Sequence, residues 1–258
     1  MFPQRIVCLT TETVEIAYAL GAGDRVVGVT GYAIRPAEAR RKPHVGAFTS
    51  VKLDQVLELE PDLVLTFSDL QRDIARDLIE AGVNVLACNQ RTIAETYQSI
   101  RMIGGVLGLG DAAEALVETM QREIDDVRTQ AARLPRRPRV LFEEWHDPLI
   151  GGIHWVSELI ETAGGDDIFV ELRDHPNATN RIIDIDEARR RDPELILASW
   201  CGRKFVPQKV RTRPGWNAVS AVRNNRLVEI KAPDILSPGP SLTNGLRQIH
   251  RAIRETVT

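Results

Sequence analysis

Twice along its 258 residues the chain passes through the same corner: a short helical pattern, an acidic–proline–acidic turn, then an apolar run closed by an aromatic residue. The first copy is Leu57-Glu58-Leu59-Glu60-Pro61-Asp62-Leu63-Val64-Leu65-Thr66-Phe67. The second runs from Arg189 to Trp200, with Asp192-Pro193-Glu194 at its turn. Proline ends the helix in each copy, since it lacks the N–H and clashes with the preceding turn. Around both copies, short apolar runs alternate with helical spacing, which demands parallel strands joined by crossover helices. Repetition in both halves predicts two similar α/β lobes.

The boundaries follow from local signals. In the first half, strands are expected at Arg5–Leu9, Val26–Val29, Leu63–Leu65 and Val83–Ala87. Helices are expected from Thr13 to Leu20, Leu53 to Leu59 and Asp69 to Ala81. Thr92-x-x-Glu95 is a capping box opening a helix toward Leu107. Asp111 is then read as the cap of a longer helix with Ala113, Leu116, Val117, Met120, Ile124, Val127, Ala131 and Leu134 at spacings of three and four. Pro135 stops that pattern, and Arg136-Arg137-Pro138-Arg139 reads as a solvated hinge. Beyond it lie strands at Val140–Phe142, Glu194–Ala198 and Leu227–Ile230, and helices at Trp155–Ala163, Asp186–Arg191 and Leu242–Thr256. The expected organisation is an N-terminal α/β lobe over 1–91, a helical linker with a long bridging helix over 92–138, and a C-terminal α/β lobe over 139–258.

Composition removes several functions. A formal charge of −3 supplies no broad basic field for nucleic acid. No apolar run approaches the roughly 20 residues that span a bilayer. The opening Met1-Phe2-Pro3-Gln4-Arg5 shows neither a charged leader with an apolar core nor a lipid-attachment cysteine. Three scattered cysteines, Cys8, Cys88 and Cys201, form no CxxC pair. Together these give the expectation of a cytoplasmic protein, or a periplasmic one if a leader has been removed.

Ligands of parallel α/β sheets bind beyond the carboxyl ends of the strands. Those ends carry Thr10, Thr11, Glu12, Tyr32, Phe48, Thr49, Ser50, Phe67, Ser68 and Gln90 in the first half. In the second they carry Trp145, His146, Trp155, Trp200, Cys201, Gly202 and Lys204. Aromatics are only 5% of the chain, yet about half fall here, which favours a broad, flat, partly apolar ligand. Among these residues, Thr11, Glu12, Tyr32, Phe48, Thr49, Phe67, Ser68, Gln90, Trp145, His146, Trp155, Trp200, Cys201 and Lys204 are the expected ligand contacts. A neutral His146 could also ligate a metal at the centre of the bound molecule.

Catalysis is the lesser reading. Glu144, His146 and Cys201 could form a metal-dependent or cysteine-assisted centre if their loops converge. However, no HExxH spacing, nucleophile elbow or glycine-rich phosphate cradle accompanies them. No catalytic cofactor is expected.

Several segments together resemble the periplasmic-binding-protein family that serves ABC importers of vitamin B12 and iron-siderophores. In the first half these are Pro3 to Thr10, Thr13-Val14-Glu15-Ile16, Leu20-Gly21, Val27-Gly28-Val29-Thr30 and Val45-Gly46-Ala47-Phe48. In the second they are Ala163-Gly164-Gly165, Asp192-Pro193-Glu194, Arg213-Pro214-Gly215-Trp216 and Ser237-Pro238-Gly239-Pro240. The resemblance spans nearly the whole chain. It implies an α/β fold of the class III architecture, two Rossmann-like lobes with central parallel sheets joined by one long α-helix, and a ligand held between the lobes. The similarity is greatest to the cobalamin binders, whose cleft aromatics match Tyr32, Phe48 and Phe67, so a corrinoid is the expected ligand and a ferric siderophore the alternative. The resemblance also implies docking on an ABC permease through one acid per lobe. In the second lobe that position falls near Asp186 or Glu187. In the first it falls near Arg72, with Asp69 and Asp73 as approximate replacements. A pure interaction module is the remaining reading.

Overall fold

The computed structural model describes all 258 residues. In the first half, β1 (Ile6–Cys8), α1 (Thr11–Ala19), β2 (Val26–Val29), α2 (Leu53–Glu58), β3 (Leu63–Phe67), α3 (Arg72–Glu80) and β4 (Val85–Cys88) follow one another. The four strands pair in parallel in the order β2-β1-β3-β4. Every residue of β1 and β3 is buried, because helices cover both faces of a parallel sheet.

Two long helices come next, α4 (Ile93–Leu107) and α5 (Gly110–Ala131). The second half holds β5 (Arg139–Glu143), β6 (Trp145–His146), β7 (Leu149–Ile150), α6 (His154–Thr162), β8 (Asp166–Asp167), α7 (Ile185–Arg191) and β9 (Leu195–Ala198). It continues through α8 (Pro207–Arg211), α9 (Ser220–Arg223), β10 (Leu227–Glu229), α10 (Ala232–Ile235) and α11 (Leu242–Val257). Its sheet is also parallel, ordered β10-β9-β5-β8, and β6 and β7 form a separate antiparallel hairpin.

The residues gather into two units, one of 1–120 with Pro238–Pro240 and one of 121–237 with 241–258. Helix α5 therefore begins in the first unit and ends in the second. Residues 92–120, expected as part of a linker, instead complete the first core. Ile100, Ile103, Leu107, Ala113, Val117 and Met120 pack there with Ile6, Val14, Ile16 and Leu65. The second core gathers Leu141, Ile196, Ala198, Phe205, Trp200 and Trp216.

The two corners are built alike. Glu60 and Asp192, each preceding its proline, both adopt φ of 47°. Asp62 accepts the N–H groups of Gln4 and Arg5 at 2.7 and 2.9 Å, while the Arg5 guanidinium donates to the Leu59 and Glu60 carbonyls. In the second unit Glu194 accepts the Arg139 N–H at 3.1 Å and Arg139 Nε donates to the Asp192 carbonyl at 2.9 Å. Each corner thus ties the start of its strand to that of the neighbour, with Ile6 opposite Leu63 and Val140 opposite Leu195.

Two local expectations change. Helix α5 starts at Gly110, so Asp111 lies in its first turn, where a carboxylate complements the positive helix end, rather than capping it. The hairpin β6–β7 and the helices α8 to α10 are elements of two to five residues, too short to show a hydrophobic period. The capping box holds. Thr92 Oγ1 accepts the Glu95 N–H and the Glu95 carboxylate accepts the Thr92 N–H, both at 3.1 Å.

Candidate functional site

In the first unit the strand ends are organised by a residue the sequence reading passed over. Gln71 is fully buried just before α3. Its Oε1 accepts the Phe67 N–H at 3.0 Å, and its Nε2 donates to the Phe48 carbonyl at 2.7 Å and reaches the Leu9 carbonyl at 3.5 Å. One amide thereby fixes the ends of β1 and β3 and the loop that carries Phe48. The Phe48 and Phe67 rings lie 6.4 Å apart, tilted by 52°. Arg91 adds a cation 5.0 Å from the Phe67 ring centre, within the range where a ring face attracts positive charge.

The other first-unit residues separate by exposure. Tyr32 is 59% exposed, Thr49 is exposed, and Phe48 and Thr11 are half-buried. Phe67, Ser68, Gln90 and Glu12 are buried. Gln90 is committed internally, donating to the Pro238 carbonyl at 3.1 Å and accepting from Ser99 Oγ at 3.0 Å. The Ser68 hydroxyl accepts the Leu70 N–H at 3.2 Å. Burial pushes the Glu12 carboxyl up to about 7, against the hydrogen bond it accepts from Thr10. Burial likewise raises the thiols of Cys8 and Cys88 to about 12 and about 11, which makes them inert core side chains.

The strand ends of the second unit centre on the hairpin. His146 stacks on Trp200 with ring centres 4.2 Å apart and an angle of 24°, and the Trp145 ring centre lies 5.0 Å from that of His146, tilted by 52°. Lys209 Nζ sits 2.9 Å from His146 Nε2. An ammonium only donates, so Nε2 is the acceptor and the ring is neutral, with its proton on Nδ1. Burial first, then the charge of Lys209, hold the imidazole below its usual range. Nδ1 is itself buried without a partner. In this arrangement Nε2 faces Lys209, so ligation of a metal there requires Lys209 to move aside.

Two tryptophans expected at the ligand surface belong to the core. Trp155, in the first turn of α6, is 2% exposed and donates its indole N–H to the Ile235 carbonyl at 2.8 Å. Trp200 is equally buried, with Phe205 edge-on at 5.1 Å and its indole N–H 3.4 Å from Glu143. Trp145 is the accessible one; its N–H is held by the Asp147 carbonyl at 2.9 Å and Arg203 lies 5.4 Å from its ring centre. Lys204 and Cys201 are exposed.

The trio Glu144, His146 and Cys201 does not form a metal centre. The Glu144 carboxylate pairs with Arg181 at 2.7 Å, and no group of three His, Cys, Asp or Glu side chains could hold a metal ion. Desolvation, then the Glu144 carboxylate, raise the Cys201 thiol, which keeps it protonated.

The docking candidates occupy matching local positions. Asp73 lies in the first turn of α3 and pairs with Arg76 at 3.1 Å; Asp186 lies in the first turn of α7 and pairs with Arg189 at 3.1 Å. Glu187 is held low by hydrogen bonds from Arg191 and Arg190.

Comparison with known proteins agrees with this architecture. The periplasmic binding protein family model matches residues 6–233, and the chain belongs to that family. The uncharacterized ABC transporter substrate-binding lipoprotein YvrC of Bacillus subtilis strain 168 is 31% identical, covering 97% of this chain and 80% of that one. The vitamin B12-binding protein of Vibrio cholerae is 25% identical over 96% of this chain and 88% of its own. Among solved structures, the periplasmic heme-binding protein RhuT from Roseiflexus sp. RS-1 superposes with a TM-score of 0.85 at 24% identity, over 99% of both chains. The chain is accordingly a binding protein of the class III fold and not an enzyme. None of its helices is long and apolar enough to cross a membrane.

Proposed function

We propose that the chain binds a corrinoid through aromatic rings at its strand ends and delivers it to an ABC permease. The observation that carries this reading is the set of rings at strand ends that keep access to solvent: Tyr32, exposed, and Phe48 and Trp145, half-buried, with the Phe48 carbonyl held by Gln71 and the Trp145 indole N–H by the Asp147 carbonyl. Rings placed there suit a broad ligand bound by stacking. Similarity to a vitamin B12-binding protein along nearly the whole chain supports the corrinoid over other flat ligands. Docking would use Asp186 or Glu187 and, in the first unit, Asp73, whose present arginine partners must exchange for those of the permease.

Titration calorimetry with cyanocobalamin tests the reading. Binding with a changed visible spectrum is expected, and Tyr32→Ala or Trp145→Ala should each weaken it about tenfold, the loss of one stacked ring. Absence of heat with cyano-, hydroxo- and dicyano-corrinoids alike discards it.

A second reading, an anionic ferric chelate, is favoured by the cations Arg203, Lys204 and Lys209 beside Trp145 and His146, and by Arg91 over Phe67. Its affinity should fall steeply between low and high salt, as charge attraction is screened.

A further inference from the structure

The adjacent carboxylates Glu143 and Glu144 each meet an arginine whose side chain is buried. Glu143 closes β5 and Glu144 follows it, and their side chains diverge, as successive residues of extended chain do. Glu143, fully buried, takes both terminal nitrogens of Arg213, at 2.6 and 3.1 Å. The same guanidinium reaches the His146 carbonyl at 3.4 Å. On the other side Arg181, 2% exposed, donates from Nη1 to Glu144 at 2.7 Å and to the Gly151 carbonyl at 2.6 Å. Residues 144 and 151 are the two ends of the hairpin, joined by the Glu144 N–H to the Ile150 carbonyl at 2.9 Å. Arg181 therefore staples the hairpin at both ends from beneath, although its Nε is left buried and without a partner.

A buried ion pair is a weak source of stability, because desolvation of both charges offsets their attraction. An arrangement that also strands a guanidinium N–H is poorer still. What it supplies is direction: a bidentate fork from Arg213 on Glu143, and one Arg181 nitrogen shared between Glu144 and the Gly151 carbonyl, at the two ends of the hairpin. We infer that Arg181 and Arg213, acting through Glu144 and Glu143, are positioning residues that set the orientation of Trp145 and His146 at the strand ends. The inference rests on the reading of Trp145 as a ligand-facing ring, and extends it to residues that touch no ligand.

The test uses the intact chain labelled with 5-fluorotryptophan, its four fluorine resonances assigned through Trp145→Phe and one substitution at each other tryptophan. The double variant Glu144→Leu/Arg181→Met removes both charges together, so no uncompensated charge remains to unfold the domain. The expected result is a Trp145 resonance that broadens or splits while those of Trp155 and Trp216 keep their positions, together with cyanocobalamin affinity reduced about tenfold. A Trp145 line unchanged in position and width overturns the inference, whatever the affinity. Failure of the wild-type chain to bind cyanocobalamin would count against the corrinoid reading alone, since the fluorine measurement needs no ligand. If the double variant does not accumulate, Glu144→Gln removes one charge with little change of shape. A smaller broadening of the same resonance is expected there, and an unchanged line again overturns the inference.

Discussion

Glu12 shows how a single buried group couples this chain to pH. An unfolded glutamate titrates near about 4.3, whereas in the folded chain burial lifts Glu12 to about 7. The folded state therefore holds the proton more tightly. The contribution from this group is fully present below about pH 4.3 and is lost as pH rises through about 7, where the buried carboxylate costs on the order of 3 kcal/mol. Glu12→Gln keeps an oxygen to accept from Thr10 and removes the charge. Urea midpoints at pH 5 and pH 8 should then differ less than in the wild type, with the variant more stable at pH 8. An unaltered pH difference would show that Glu12 is not the group responsible. Gln71 makes the same point without charge: a neutral amide, placed where three backbone groups converge, does what no sequence motif announces.

Among the elements, the loop between β2 and α2 is where a ligand surface depends most on backbone conformation. Gly46 has φ of 147°, and a Cβ added there would lie 2.3 Å from the Ser50 carbonyl oxygen. Both neighbouring strands of the loop are locked to each other, through the bridge of Gly46 to Val51 and the Ala47 N–H to the Ser50 carbonyl at 2.9 Å. Gly46→Ala should therefore open this turn and shift Phe48, two residues on. We expect a loss of about 1–3 kcal/mol in urea unfolding and weaker cyanocobalamin binding in calorimetry. A variant with wild-type midpoint and affinity would mean that the loop accommodates the methyl group elsewhere. The helix α6 ends in a comparable way, with Gly164 at φ of 95° just past its last residues, which the sequence pattern Ala163-Gly164-Gly165 already indicated.

For the whole molecule, the spectroscopic probes happen to be divided. All four tryptophans lie in the second unit, and Tyr18, Tyr32 and Tyr97 all lie in the first. Helix α5 carries Ala113, Val117 and Met120 into the first core and then, without a break, Ile124 and Val127 into burial beyond it. The segment Pro238–Pro240 returns to the first unit, where Gln90 holds it. A continuous helix shared in this way should make unfolding one cooperative transition. Tryptophan fluorescence and far-ultraviolet circular dichroism should give coincident urea curves, and Glu12→Gln should move the tryptophan curve at pH 8 although Glu12 is in the other unit. Two separated transitions would show that the units unfold independently.

Local order set most of the architecture. Apolar runs bounded by proline and glycine placed seven of the ten strands, spacings of three and four gave the long helices, and the paired acidic–proline–acidic corners revealed two like halves. These signals are legible because each depends on neighbours within a few residues. The candidate site was legible only as a set of strand ends. Which rings stay accessible, Tyr32, Phe48 and Trp145, and which are drawn into the core, Trp155 and Trp200, was decided by packing from distant segments such as Ile235 against Trp155 and Glu143 against Trp200. The partners that fix the surface, Gln71, Arg181, Lys209 and Arg213, were equally out of reach. A buried polar group is satisfied by whatever the fold brings beside it, and the Glu143–Arg213 pair joins residues 70 positions apart, a separation at which sequence spacing carries no information on contact.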